Sequence, residues 1–472
     1  MPNAVGAPSE KTHLLHGTGA CKQPPLPTWG SRLAASAKLV LTSGTGLFAD
    51  GYDLLVIDLV IADIAHLHPA AMGPSLKSLV VSVTLVGVIV GQLTFGTVAD
   101  AIGRRAASLA TAFIITISAL LSACCVQSER FPLAAQLCLC RLCLGVGIGG
   151  EYPVSAALGV EGHGGLSVAG LGSRAQLQTA VAGMFNLGSV LTALVVIALL
   201  AAGTPLEVVW RLALGFGAVP AAAVLAARAR LPAEEPRGKA GPKAFAGRFL
   251  EAVGPRQQLL LGACLSWAVF NFTMYGQSSF RSTISDRIYG DTSRESVRET
   301  LHRNAVFSLS MSLGAVTGTA VAICVVDRLR RFQLQFLGFA GSALAMWLCG
   351  GLLRVLPAHE HWPLVALNYI WVMLCIQVGT TTYLIPAEGF PAVARATCFG
   401  IAAASGKLGA VLGTALFPVC EASFGLEAVL ITSGCMSLAG AGVTLLLSPR
   451  VDADPAELDR ASAADSRVSS SR

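Results

Sequence analysis

The sequence predicts an all-α membrane protein with twelve transmembrane helices in two pseudo-symmetric six-helix bundles. Three observations carry this. The 472 residues are 54% hydrophobic and only 13% charged, against about 25% charged in a soluble globular chain. The apolar residues gather in discrete runs of about 20, enough to cross a hydrocarbon core about 30 Å thick as helices. Acidic features also recur at one fixed offset along the chain, which marks an internal repeat. Only helices and closed barrels span lipid with every backbone group satisfied. These runs are too long and too continuously apolar for alternating barrel strands. The 50 glycines suit close helix packing in lipid.

Taken in order, residues 1–37 are polar and rich in Pro and Gly. They contain no early apolar run, so they read as a cytosolic tail without a cleavable secretory signal. A first bundle (38–228) follows, with apolar segments at 38–64, 77–99, 106–126, 131–158, 176–202 and 207–228. Residues 229–256, rich in Pro and Arg, form a central cytosolic loop. A second bundle (257–447) has segments at 257–284, 304–326, 332–353, 362–385, 393–418 and 425–447. Residues 448–472 form a polar cytosolic tail.

Charge sets the orientation. Lys and Arg concentrate on the cytosolic side of membrane proteins, and placing both termini there puts two-thirds of the 33 basic residues inside. The polar stretch 285–303, with Arg287, Arg294, Arg298 and Arg303, then falls outside and runs against the rule. The net charge of +6 calls for no nucleic-acid partner, because the basic residues flank membrane segments. The 13 Cys sit mostly within apolar runs without zinc-type spacing, so they read as small hydrophobes, and no metal or cofactor is expected. With no nucleotide-binding loop, metal motif or nucleophile constellation, the chain does not read as an enzyme.

The repeat is visible in residues. Asp100 and Asp327 each precede an Arg by four positions, Arg104 and Arg331, and lie 227 positions apart. Glu161 and Glu388, each closing an apolar segment, are separated by the same 227. Two homologous six-helix halves follow, with any ligand site between them near the midplane.

Gly96-Thr-Val-Ala-Asp100-Ala-Ile-Gly103-Arg104-Arg105 resembles the helix 2–3 loop signature of the major facilitator superfamily. Charge pairs at helix ends can latch one face of such a bundle and release it in another state. A plain positive-inside anchor also explains Arg104 and Arg105, but not Asp100. On this reading Asp100, Arg104, Arg105, Arg141, Glu161, Asp327, Arg331, Glu388 and Arg395 are the latch candidates. A more specific resemblance is to the phosphate:proton symporter family. It rests on Phe48-Ala-Asp50-Gly-Tyr52-Asp53, on the run from Arg141 through Gly149-Gly150-Glu151-Tyr152-Pro153, on Trp267 through Gln277, and on Pro386-Ala-Glu388 with Ala404-Ser-Gly406-Lys407. The resemblance implies transport of a small anion, phosphate, together with protons, across the plasma membrane. A transporter of another solute (a glycerophosphodiester, an organic anion or a sugar) and a non-transporting nutrient sensor are the rival readings. The short tails disfavour the sensor.

The residues support site roles independently. An ionisable group inside a span is expensive, so it is a functional candidate. Lys407 lies on a face of small residues (Ser405, Gly406, Gly409) and needs an anion, either a substrate or an acid such as Asp50. Trp267, Asn271 and Tyr275 are spaced by four and form either a stripe of hydrogen-bond donors or an aromatic packing stripe. The resemblance adds Tyr152, and with it and Lys407 these are the candidate substrate ligands. Asp50 and Asp53 share a helix face, and with Glu151, which the resemblance identifies with the family's helix-4 carboxylate, they are the candidate proton-coupling groups. Arg141 is expected to pair with Asp50 or Asp53. Three positions depart from the family. Asn271 stands where it keeps an Asp, Phe185 where it keeps a Gln and Gly379 where it keeps an Asn, which suits a bulkier phosphate ester or another organic anion.

Overall fold

The protein is described from a computed structural model covering residues 29–69, 72, 74–102, 104–161, 173–230, 249–251, 253–278, 285, 296–355 and 362–447. The predicted C-terminal tail, most of the N-terminal tail and the middle of the central loop lie outside these residues. In the first half the helices are α1 (Trp29–Leu67), α2 (Pro74–Ile102), α3 (Arg104–Ala123), α4 (Leu133–Glu161), α5 (Arg174–Ala201) and α6, which has two segments, Leu206–Phe216 and Ala218–Ala229. In the second half they are α7 (Gln257–Ser278), α8 (Val297–Val325), α9 (Arg331–Val355), α10 (Trp362–Glu388), α11 (Ala392–Phe424) and α12 (Leu426–Leu447). Among the described residues, ten of these helices are long and apolar enough to cross a membrane. The two others are α1, which carries Asp50, Asp53, Asp58 and Asp63, and α2, whose apolar stretch is Leu79–Phe95.

Local chemistry explains the helix ends that hydropathy misses. α8 begins at Val297, seven residues before the predicted apolar segment. Its first turns are polar, and a capping box starts them: the Ser296 hydroxyl accepts from the Glu299 amide, and the Glu299 side chain accepts from the Ser296 amide. The predicted loop 285–303 therefore contains the start of a helix. Ser173 and Gln176 start α5 in the same way. α6 breaks because Pro220 lacks an amide hydrogen and its ring crowds the carbonyl of residue 216, where the first segment ends.

The packing repeats. In the first half α1 lies on α5, α2 on α4, and α3 on α4 and α6; in the second, α7 lies on α11, α8 on α10, and α9 on α10 and α12. Adding six to each helix number converts one set into the other. The halves meet along α2–α11 and α5–α8, two seams that the same operation exchanges. Small residues allow the closest approaches. A methyl group added at Gly87 or Gly91 of α2, or at Gly145 or Gly149 of α4, would strike the partner helix's backbone.

Bonds join the halves at both ends of the bundle. At the end carrying the α2–α3 turn, the Ser173 hydroxyl donates to Asp327 at 2.6 Å and the Gln176 amide donates to the Ile323 carbonyl at 3.0 Å. At the opposite end, Arg298 at the start of α8 donates to the Leu200 carbonyl at 2.9 Å and to the Thr204 carbonyl.

Candidate functional site

Between the halves lies a cavity. The first half lines it with Leu47 and Leu55 from α1, Tyr152 from α4, and Phe185, Asn186 and Ser189 from α5. The second contributes Trp267, Asn271 and Tyr275 from α7, Met311 and Thr319 from α8, Gly379, Thr380 and Tyr383 from α10, and Lys407 from α11. All five predicted substrate ligands thus line one cavity. The Asn186 amide donates to Thr319 at 2.9 Å, a bond from half to half across it.

Lys407 is the cavity's buried cation, 3% exposed. Its ammonium donates to the Tyr275 hydroxyl at 2.6 Å and stands 4.3 Å from the Tyr275 ring centre and 5.6 Å from that of Tyr152. Among the described residues it forms no ion pair. Gly406 gives its neighbours room: a Cβ there would meet Trp267 and the Asn271 amide nitrogen. Trp267 packs edge-on against Phe399, ring centres 5.4 Å apart, and Tyr383 packs edge-on against the same ring at 5.1 Å. The Asn271 amide nitrogen is buried and has no hydrogen-bond partner among the described residues. Ammonium, phenol and amide donors therefore converge on one wall.

The carboxylates sit next to this wall. Asp50 and Asp53 are fully buried, and none of their side-chain oxygens has a hydrogen-bond partner among the described residues. Asp50 is in electrostatic reach of Glu151, Asp53, Arg228 and Lys407. Glu151 is 1% exposed and held bidentately by Arg228, with Nη1 donating to Oε2 at 2.7 Å and Nη2 to Oε1. The Thr111 hydroxyl adds a third donor at 3.2 Å. Gly46 of α1 makes room for this carboxylate, because a Cβ there would overlap it.

Two sequence readings change here. Arg141 does not form the expected ion pair within 4 Å among the described residues. Its Nη1 donates to the Asp53 backbone carbonyl at 3.1 Å, while the Asp53 carboxylate remains in electrostatic reach. A side chain that spans the α1–α4 packing distance meets backbone before carboxylate. Arg228, the last residue of the predicted segment 207–228 and not a site candidate from the sequence, is 3% exposed inside the bundle and joins the site. The one signal for it was its place at the end of an otherwise apolar Ala-rich run.

The latch candidates scatter. Arg331 pairs with Glu388 at 3.1 Å and also donates to the Val326 carbonyl at 2.5 Å. Arg395 donates to the Phe390 carbonyl at 3.1 Å, and Arg105 to the Ala229 carbonyl, at the end of α6, at 2.7 Å. Asp327 receives Ser173 across the halves. The side chains of Asp100, Arg104 and Glu161 lie outside the described residues.

Comparison with known proteins agrees with this architecture. The model of the family described as "Sugar (and other) transporter" matches residues 39–237 and 231–453. Among curated proteins the chain is 29% identical to inorganic phosphate transporter 1-6 of Oryza sativa subsp. japonica, over 79% of this chain and 80% of that protein. It is 31% identical to inorganic phosphate transporter PT2 of Toxoplasma gondii, over 78% of this chain and 64% of that one. Among solved structures, the major facilitator proton:xylose symporter XylE bound to 6-bromo-6-deoxy-D-glucose superposes with a TM-score of 0.70 at 19% identity, covering 89% of this chain and 97% of that one. The inward-open form of the transporter from E. coli superposes with a TM-score of 0.66. Two six-helix halves around a shared cavity, joined to a family match over nearly the whole membrane region, place this chain in the sugar (and other) transporter family, with the fold of the major facilitator structures.

Proposed function

We propose that this multi-pass membrane protein moves inorganic phosphate across the plasma membrane by proton symport with alternating access, both termini being cytosolic. The observation that carries this is Lys407: a buried ammonium with no ion pair among the described residues, hydrogen-bonded to Tyr275, in a cavity that both halves line. A phosphate there would meet the ammonium, the Tyr275 and Tyr152 phenols, the Trp267 indole N–H and the Asn271 amide. Charge-assisted hydrogen bonds of this kind are the strong ones. The names of the curated relatives support phosphate as the cargo.

Charge balance supports the coupling. Asp50, Asp53 and Glu151 face Arg141, Arg228 and Lys407: three buried acids with three buried bases. An anion entering beside Lys407 upsets that balance, and uncompensated charge in a desolvated site is costly. A proton on one carboxylate restores it. The end bonds through Asp327 and Arg298 are the contacts that opening on either side must break. The remaining latch candidates, Arg105, Arg331, Glu388 and Arg395, brace helix ends at the α2–α3 side.

The test is labelled phosphate uptake into proteoliposomes with and without an inward proton gradient. Uptake raised several-fold by the gradient is the expected outcome. Uptake indifferent to the gradient refutes the coupling, and none in either condition refutes phosphate as cargo. A second reading, a larger organic phosphate or other organic anion, is favoured by the cavity itself. Phe185, Phe270, Met274 and Ile376 give it an apolar wall against which a carbon skeleton could pack.

A further inference from the structure

The ion pair between Arg228 and Glu151 lies outside the ligand wall described above, and its geometry separates the buried carboxylates by task. Both oxygens of Glu151 are occupied: Arg228 donates to each, and Thr111 donates to Oε2 as well. A proton there would cancel the counter-charge of a buried guanidinium and leave Arg228 uncompensated. Asp50 is one helical turn beyond Gly46, the residue that makes room for Glu151 on α1. It is fully buried, and among the described residues neither of its oxygens accepts a hydrogen bond. A proton can therefore form an O–H bond on Asp50 without breaking any existing contact. The charged groups that face Asp50 are Glu151 from α4, Asp53 from α1, Arg228 from α6 and Lys407 from α11. Those around Glu151 are Arg228 and Asp50, with the Tyr383 phenol of α10 nearby. With the Arg228–Glu151 pair neutral and Asp53 facing the Arg141 guanidinium, Asp50 and Lys407 are the two charges of this group left to answer an incoming anion.

We propose that Arg228 is a positioning residue that holds Glu151 permanently ionised, and so assigns proton uptake and release in this cluster to Asp50. The inference deepens the proton-symport reading and rests on it for its meaning in transport. It also contradicts the sequence expectation that Glu151 itself exchanges the proton.

Infrared difference spectroscopy on the purified full-length protein between alkaline and acid pH reads protonated buried carboxyl groups directly and needs no substrate. The wild type should show a titrating carboxyl band that is lost in Asp50→Asn and retained in Glu151→Gln. Arg228→Gln should add a second band, and combining Arg228→Gln with Glu151→Gln should remove that added band alone. A band lost in Glu151→Gln and kept in Asp50→Asn overturns the proposal, as does no second band in Arg228→Gln. The double variant carries no unpaired charge at this site. It therefore remains testable if a single variant fails to fold, and loss of the wild-type band in it also overturns the proposal. In parallel, the pH profile of phosphate uptake should keep its shape in the double variant, whatever its height. Failure of the wild type to transport phosphate would refute the proposed function while leaving the infrared test of Arg228 intact.

Discussion

Lys407 and Gly46 make the sharpest claims about single side chains. Replacing Lys407 by Ala removes the cavity's cation and its bond to Tyr275. Hydrogen bonds to charged groups contribute about 1.5–3 kcal/mol, so phosphate affinity should fall by about tenfold or more while the protein still inserts and elutes as a folded species. Persistent transport would make Lys407 a structural partner only. Gly46→Ala places a methyl group on the Glu151 carboxylate. Breaking a buried ion pair destabilises by about 3–5 kcal/mol, so the melting temperature in detergent should drop clearly. The same substitution at Gly351, where an added Cβ meets nothing within 4 Å, is the control, and equal shifts at both positions would refute the packing argument. Among buried cations, Lys407 and Arg141 were legible because each interrupts the middle of an apolar run. Arg228 was not, because it lies near the end of one. Side chains on a helix lean towards its N-terminus, so a long side chain in the last turn of α6 reaches back into the bundle to α4.

The basic stretch that runs against the positive-inside rule is partly accounted for at the level of helices. Arg298 sits in the first turn of α8 and bonds to the Leu200 carbonyl in the last turn of α5 and to the Thr204 carbonyl in the turn that follows, both in the other half. The last four carbonyls of a helix lack intrahelical partners and carry partial negative charge. Arg298 thus works as a cap that joins two halves, and Asp63 lies in its electrostatic reach. Arg298→Gln should weaken this end by about 1–2 kcal/mol. A cysteine placed at the cavity residue Ser312, in a background without native cysteines, should then label from that end about fivefold or more faster. Unchanged labelling would show that Arg298 does not hold that end shut.

For the whole molecule, the seams α2–α11 and α5–α8 are the surfaces along which two rigid halves would rock. Ser173 and Asp327 face each other across them at the α2–α3 end. Replacing both by cysteine in the same cysteine-free background and joining them with a short thiol cross-linker should stop transport, and cleaving the linker should restore it. Continued transport in the linked protein would mean that this end need not open. The offset of 227 positions anticipated the relation between the halves, and the matching helix contacts display it.

The sequence by itself determined the environment, the number of spans, the repeat and the stripe of Trp267, Asn271 and Tyr275 on one helix face. Each of these is written in local composition or in a fixed spacing, and lipid leaves the backbone no alternative to the helix. It also reached the family, through long strings in α4, α7 and α11. Tertiary structure alone decided which buried charges meet. Glu151 takes Arg228, Arg141 takes a backbone carbonyl, and Asp50 keeps its oxygens free of hydrogen bonds among the described residues. Those choices depend on where side chains from α1, α4 and α6 converge, and hence on ångström-scale helix packing set by glycines such as Gly46. No spacing along one chain encodes that distance between helices.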